Sequence, residues 1–470
     1  MARVLDCDAG VSLAGSLVMR ATSARSCSMS RTYITLAAAR CRYAVGGSAG
    51  HNKGQCFLRK GCEAVAYDVA SVRGLYTSLS SGWTYLNAHD VPQVPERVAS
   101  AVARSFRAAF TVAPPEPVRG SHARFTPGCP EGETLVADAR AAVADLTGAT
   151  PERVILGPSV QALYLALSAA MRPLFRHNSS VVVSGLDDPR LTSTIQLADA
   201  QVRWAQADLA TGELPSWQFE KLVDGSTRLV SIPAAHAQLG TVVAVPQVAE
   251  AVRGRSRAWL LVDGSSYLPY RPLTFDEFGA DIIAVDVAAM GGPQVAALVF
   301  RDEAMLNRLD RDMLDLPVAP GLAGGVSAIV EHYAQLAEPR GGHPRKVTRR
   351  ARLAYSMQEA ADYMEHLRED LYTFLGTLPK VHIVGVSGEA AEHTHLDRIP
   401  RLTFGVRDVP AETVYQRLVA NGMVATLASS SKLLSDMGVD EMGGAVTVSL
   451  SPFNTQADVV QLTRTVASLA

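Results

Sequence analysis

Seven short apolar runs separated by helical patterns constrain this chain more than any other feature. They fall at residues 154–156, 181–184, 202–204, 229–233, 259–263, 282–285 and 296–300. A run such as Val181-Val182-Val183 has no polar face, so a strand made from it must be covered on both sides. The helical segments between the runs supply that cover. They also serve as the crossover connections that parallel strands require. The expected fold is therefore α/β with a seven-stranded, mainly parallel sheet, too large for a small α/β module.

The pattern differs on either side of this block. Ahead of it, the spacing predicts a short helix over 68–75, a strand over 84–87, a helix over 95–110 and an amphipathic helix over 133–146. Gly148 is the stop signal of the last of these. Residues 113–130 are rich in Pro, Gly and Arg and read as a loop. After Gly324 long helical stretches (326–337 and 347–378) flank a Gly-Gly-His-Pro break. Strands at 381–386, 402–406, 423–427 and 446–450 then form a smaller α+β unit. The expected organisation is an extension over 1–64, a large domain over 65–325 and a small C-terminal domain over 326–470. Open α/β sheets bind ligands beyond the carboxyl ends of their strands. The loops at Gly157, Gly185, Ala234, Gly264 and Asp286 are thus the candidate site.

Those loops carry an ordered set of motifs: "ILGPSVQALYLAL" (155–167), "VVVSGLDDPRLTSTI" (181–195), "RLVSIPAAHAQLGTVV" (228–243), "WLLVDGSSYLPY" (259–270), "GADIIAVDVAAMGGPQVAALVF" (279–300) and "VTVSLSPFNT" (446–455). In this order and spacing they resemble the class V aminotransferase family, fold type I of the pyridoxal-phosphate (PLP) enzymes. The nearest likeness is to cysteine-desulfurase-like proteins of actinobacterial type, and it spans about residues 67–468. The resemblance implies PLP as cofactor and a homodimer as assembly. It also implies an amino acid or another small anion as ligand. PLP needs a lysine for its Schiff base, a carboxylate for its ring nitrogen and a helix N-terminus for its phosphate.

Compared with that pattern, the chain keeps part of the site and loses part. The resemblance assigns Asp263 to the ring nitrogen, and Ser159 and Val160 to the pair of hydroxyl residues at the phosphate. Without a ligand, Ser159 reads simply as a helix N-cap. The lysine position, counted back from Gly292-Pro293, holds Ala289, with Ala288 before it. The serine of the same motif is Asp286, a carboxylate where phosphate oxygens belong. Asp188 stands where a histidine stacks on the ring, and a carboxylate has no π face. Ser266 replaces a glutamine and Ala237 an asparagine. Thr447 replaces the arginine that grips the substrate carboxylate, a role a neutral hydroxyl does not fill. The partner-subunit phosphate contact has no counterpart near residues 318–321. The desulfurase nucleophile is missing as well: the corresponding loop reads Ala-Ser-Ser-Ser-Lys-Leu (428–433), and no cysteine follows Cys129. PLP binding is accordingly not expected to be covalent, and no catalytic residue is assigned.

Composition enters through the lysines. The whole chain has six: Lys53, Lys60, Lys221, Lys346, Lys380 and Lys432. None lies between Lys221 and Lys346, so no small register shift restores the missing amine. Three readings follow. The first is a degenerate member of the family, a binding or regulatory protein that keeps the fold. The second is an active PLP-dependent aminotransferase or lyase using a non-standard lysine, with Lys432 foremost. The third is a pocket turned to non-covalent chemistry on a small anion or nucleotide.

The net charge of −2 gives no case for a nucleic-acid partner, and no stretch reaches the roughly 18 apolar residues of a membrane helix. Residues 1–64 stand apart, with five of the six cysteines and nine Lys/Arg against three Asp/Glu. They read as a disordered extension or a start assigned too far upstream, with a transit peptide as the alternative. The single remaining cysteine, Cys129, fits a reducing cytoplasm. No metal site is expected, and His393 and His395 read as a solvated loop. His236 lies at a strand end near the site, where it reads as a strand cap or an acid–base group. Asp187-Asp188 reads as a turn ahead of Pro189, and Gly291-Gly292-Pro293 as a tight turn between strands.

Overall fold

The computed structural model describes residues 67–112, 128–339, 342, 346–385 and 397–470, all within the unit Val65–Ala470. Its large sheet holds the seven expected runs: β2 (Val154–Gly157), β3 (Ser180–Ser184), β4 (Gln201–Ala205), β5 (Thr227–Pro233), β6 (Trp259–Asp263), β7 (Ile282–Asp286) and β8 (Ala296–Phe300). A short strand, β1 (Thr84–Tyr85), precedes them. The order across the sheet is β2-β8-β7-β6-β5-β3-β4. Only β8 runs antiparallel to its neighbours. The carboxyl ends of β2, β3, β5, β6 and β7 therefore lie along one edge.

Alternation along these strands explains their two apolar faces. Val182, Val230, Ile232, Leu260, Val262 and Ile283 belong to one core cluster. Val181, Val183, Leu229, Leu261, Ile282 and Ala284 belong to a second cluster on the opposite face. Helix Val160–Ala170 packs on the second face through Leu163, Tyr164 and Leu167. Its short apolar sequence starts at an N-cap serine, which fixes where it leaves the sheet.

Two helices ahead of the sheet match their expected positions, Glu96–Ala108 and Glu131–Thr147, and the second ends on Gly148 at φ 81° as the stop signal required. The following helix departs from the expected 326–337 and runs over Pro320–Tyr333. Gly324 thus sits inside a helix and does not mark a boundary. The reason is packing: a Cβ at Gly324 would lie 1.9 Å from Ser105 Oγ, and one at Gly325 would lie 2.5 Å from Val102 Cγ2. Both contacts come from helix Glu96–Ala108, which needs bare backbone opposite it. The long helix runs over Arg349–Gly376.

The small unit is a four-stranded antiparallel sheet built from β9 (Val381–Ile383), β10 (Arg401–Val406), β12 (Thr426–Leu427) and β13 (Val446–Ser449), in the order β12-β13-β10-β9. Its core joins Leu402, Phe404, Val446 and Val448 to Leu367 and Leu371 of the long helix. Helix Gln456–Ala467 covers it, started by a Thr455/Asp458 capping box. The single strand expected over 423–427 is broken at Ala425. Its first half, β11 (Met423–Val424), pairs parallel with β1 and its second half pairs with β13. An apolar run looks alike in either partnership, so sequence alone did not reveal the switch. Asn87 also bridges to Ser449, so the N-terminal segment is tied into the small unit.

Candidate functional site

The edge formed by the strand ends gathers carboxylates. Asp263 ends β6 and is 9% exposed. Its Oδ1 accepts from the Ser265 amide at 3.0 Å and from the Ser265 hydroxyl at 2.6 Å. Burial raises its pKa to about 6 against these two hydrogen bonds, and the charges of Asp286 and Asp188 add to the rise. Asp286 ends β7 and accepts from the Ala288 amide at 3.0 Å. Burial lifts it as well, while Arg190 partly offsets the shift.

Asp187 departs most from the sequence reading. It lies in the turn ahead of Pro189, as expected, but is buried there. One carboxylate oxygen takes a long 3.4 Å bond from the Ser184 amide, and the other has no partner. Burial first, and the neighbouring Asp263 second, push its pKa well above the usual carboxylate range. The hydroxyls of Tyr164 and Ser231 are buried beside it, and Ser231 acts on both the Asp187 carboxyl and the Tyr164 hydroxyl. Asp188, the next residue, caps helix Pro189–Ile195 and pairs with Arg190 at 2.6 Å. Its burial opposes ionisation, but the Arg190 hydrogen bonds and charge win and hold it below its ordinary value.

Ser159 accepts from the Ala162 amide at 3.2 Å, and Val160 begins the helix behind it. The helix N-terminus is thus in place, with its serine hydroxyl already engaged as a cap. Ala289 lies in the short turn Ala288–Met290 after β7, closed by Gly291 at φ 86°. It shares a small cavity with Tyr76, Tyr270, Met290, Tyr333 and Phe453. The four described lysines, Lys221, Lys346, Lys380 and Lys432, are all exposed. The Lys432 side chain is 90% exposed and its ammonium pairs with Asp436 at 3.0 Å.

The facing side comes from the N-terminal segment and the small sheet. Ser266, buried, lies 3.4 Å from His89 Nε2, and the Tyr270 hydroxyl lies 3.4 Å from His89 Nδ1. The His89 and Tyr270 rings stack at 6.0 Å. His236 is buried and accepts from the Leu239 amide through Nδ1 at 3.1 Å. Burial, then Arg401 and Arg398, hold His236 down at about 3, so it is neutral and caps its own turn. His89 is held low for the same first reason, then by Arg401. Thr447, at the position of the substrate-gripping arginine, is buried and spends its hydroxyl on Thr403 at 2.9 Å. Ala237 is exposed. Gly240 keeps φ 73°, and a Cβ there would meet the Arg401 carbonyl oxygen at 2.5 Å. The "GT" turn is therefore retained as a backbone contact with β10.

Sequence reasoning missed His89, Arg190 and Arg401, and weighed Asp187 as an acid–base carboxylate only to prefer a turn residue. Arg190 could have been found, since it follows an N-cap aspartate by two residues. The other three take their roles from partners far along the chain.

The structure thus brings Asp263, Asp188 and Ser266 to the site and leaves Ser159 and Val160 at the helix start. These residues do not fit PLP. Among the described residues no buried lysine faces Ala289, Asp188 offers no ring to stack on the cofactor, and Asp286 puts a carboxylate at the position of a phosphate-contacting serine. Among the described residues no group of three or more His, Cys, Asp or Glu could hold a metal. His393 and His395 lie outside the described residues, as do residues 1–64 and most of the 113–130 loop. No helix of the described residues is long and apolar enough to cross a membrane.

Comparison with known proteins agrees with the architecture. The class-V aminotransferase family model matches residues 129–313. An uncharacterised protein of Mycobacterium tuberculosis is 38% identical over 423 residues, covering 86% of this chain and all of its own length. Among solved structures, the apo cysteine desulfurase of Thermococcus onnurineus superposes with a TM-score of 0.68 at 14% identity, covering 85% of this chain and 97% of that one. A lysine-to-alanine mutant of C-DES, solved with glycine covalently linked to its PLP, gives 0.64 at 14% identity, with 84% and 98% covered. At these identities the two structures speak for the fold alone.

Proposed function

Since the chain belongs to the class V aminotransferase family, we propose that it is a catalytically degenerate member, one that keeps the fold and binds PLP weakly or not at all. It forms no Schiff base and passes no sulfur through a persulfide. One observation carries the reading: the turn after β7 that should present an amine holds Ala289, and every described lysine is exposed. Asp286 supports it, because a carboxylate at the position of the phosphate-contacting serine disfavours a phosphate dianion beside it. The solvent-facing Lys432, already paired with Asp436, supports this reading over an active enzyme that borrows that lysine.

The role that remains is binding or regulation. The proposal includes a homodimer, supported by the family and by Phe110 and Val112, which stand 89% and 56% exposed after helix Glu96–Ala108. Sedimentation velocity tests that part.

The decisive experiment is to incubate the purified full-length chain with excess PLP, desalt it and record the visible spectrum before and after borohydride. The expected result is no retained absorbance band and no pyridoxyl-modified peptide. A band that borohydride bleaches, with the label mapped to any lysine, overturns the proposal. Label on Lys432 in particular would restore the active-enzyme reading.

A further inference from the structure

We propose that Asp187 is a proton-operated catch: as a carboxylic acid it holds the turn after β3 against the sheet edge, and as a carboxylate it frees that turn. The geometry carries the case. Asp187 follows the end of β3 by three residues, and its side chain is turned into the protein, 6% exposed. One carboxyl oxygen receives the Ser184 amide at 3.4 Å. That is long for a bond to a carboxylate, whose charge-assisted hydrogen bonds are short. The nearest guanidinium along the chain, Arg190, is engaged by Asp188 through Nε and Nη2, and its side chain is 77% exposed.

The groups that face the Asp187 carboxyl come from every element packed against it. They are the Ser184 amide from β3, Ser231 from β5, Asp263 from β6, Tyr164 from helix Val160–Ala170, and Asp188 next in the chain. Each is neutral or acidic. Asp263 is itself faced by Ser265, Asp286 and Asp188, and Arg190 acts on Asp188 and Asp286 from outside. A buried carboxylate beside a second carboxylate, with no counter-charge of its own, is strongly disfavoured, so Asp187 keeps its proton while the turn is closed.

The closed turn is short and local. The Gly185 amide donates to the Ala205 carbonyl at 2.8 Å, the Leu186 amide to the Ser184 hydroxyl at 2.9 Å and the Asp187 amide to the Ser184 carbonyl at 3.2 Å. Opening it returns Asp187 to water, where it ionises near its ordinary value of 3.8. Burial first and Asp263 second lift the closed-state value above that. The stability Asp187 confers on the closed turn is therefore complete below pH 3.8 and is lost as the pH rises toward the closed-state value. Between the two values the open fraction grows by up to about tenfold per pH unit. Arg190, exposed on the first turn of helix Pro189–Ile195, is a natural reporter of that opening.

The test contains no PLP, so its outcome is separate from the Schiff-base question. Full-length protein and its Asp187→Asn variant are digested with trypsin at steps between about pH 7 and pH 9, and cleavage after Arg190 is followed by mass spectrometry. The variant keeps the shape of the acid but cannot ionise, and dividing by its rate removes the pH dependence of the protease. The parent-to-variant ratio of cleavage rates should climb with pH, by up to about tenfold per unit. D187N should also be more resistant to urea than the parent at about pH 8, because it carries no buried charge. The infrared difference between the two proteins should show the carbonyl stretch of a protonated carboxylic acid in the parent alone. A cleavage ratio that stays flat, a D187N that is less stable than the parent or does not fold, or an infrared difference without that band overturns the proposal.

Discussion

The two sides of the site carry opposite kinds of ionisable group. The strand ends of the large sheet present Asp187, Asp188, Asp263 and Asp286, with exposed Arg190 as the counter-charge. The small sheet presents Arg398 and Arg401. Burial pushes Asp187, Asp263 and Asp286 toward the neutral form, whereas Arg398 and Arg401 each meet hydrogen-bond acceptors. The lesson is that the two sides hold their charge differently: the carboxylates crowd one another, and the arginines face partners.

Three measurements break or sharpen that comparison. The largest effect belongs to Arg398→Ala, which strands three buried carbonyl oxygens. It should lower unfolding stability by about 3–5 kcal/mol, the range for disrupting a buried charged network. Urea denaturation reads it, and a loss near zero would mean Arg398 is no strut.

Asp263→Asn comes next. The folded pKa of Asp263 is raised above its unfolded value of 3.8 to about 6. The native state then binds the proton more tightly, so the stability this group confers is full below pH 3.8. It is lost as the pH rises through about 6. Converted at about 1.4 kcal/mol per unit, the native state is penalised by roughly 3 kcal/mol at neutral pH. The asparagine variant should therefore be more stable than the parent at pH 7 and equal to it near pH 4. Parallel denaturation curves at the two pH values check this, and an unchanged difference would show that the acidic side is less confined than its burial indicates.

The smallest effect is Ser159→Ala. It removes one N-cap bond and should cost about 1 kcal/mol of unfolding stability. Urea denaturation reads it, and an unchanged midpoint would mean that the cap contributes nothing.

Much of the frame was legible in the sequence, because the strands of the large sheet are apolar on both faces and little else has that pattern. Gly148 marked a helix end for a local reason, and the missing amine at Ala289 was countable. What escaped notice depended on distant partners. Gly324 is read as a boundary until helix Glu96–Ala108 is seen pressing against it. The 423–427 run divides because β1 claims half of it. Asp187 gains its raised pKa from burial first and from Asp263 second, and Arg401 meets Asp90, contacts no local spacing encodes.

The pairing of β1 with β11 has a temporal consequence. Thr84 is partnered with Met423, so the N-terminal segment leaves the ribosome long before its mate exists. At the usual 5–20 residues per second, the wait is roughly 20 to 70 seconds. The large sheet can fold during that interval, but Asp90 has no Arg401 to meet until synthesis is nearly complete. The β1–β11 pairing is thus among the last parts of the molecule to close, and a chain ending before Met423 would never form it.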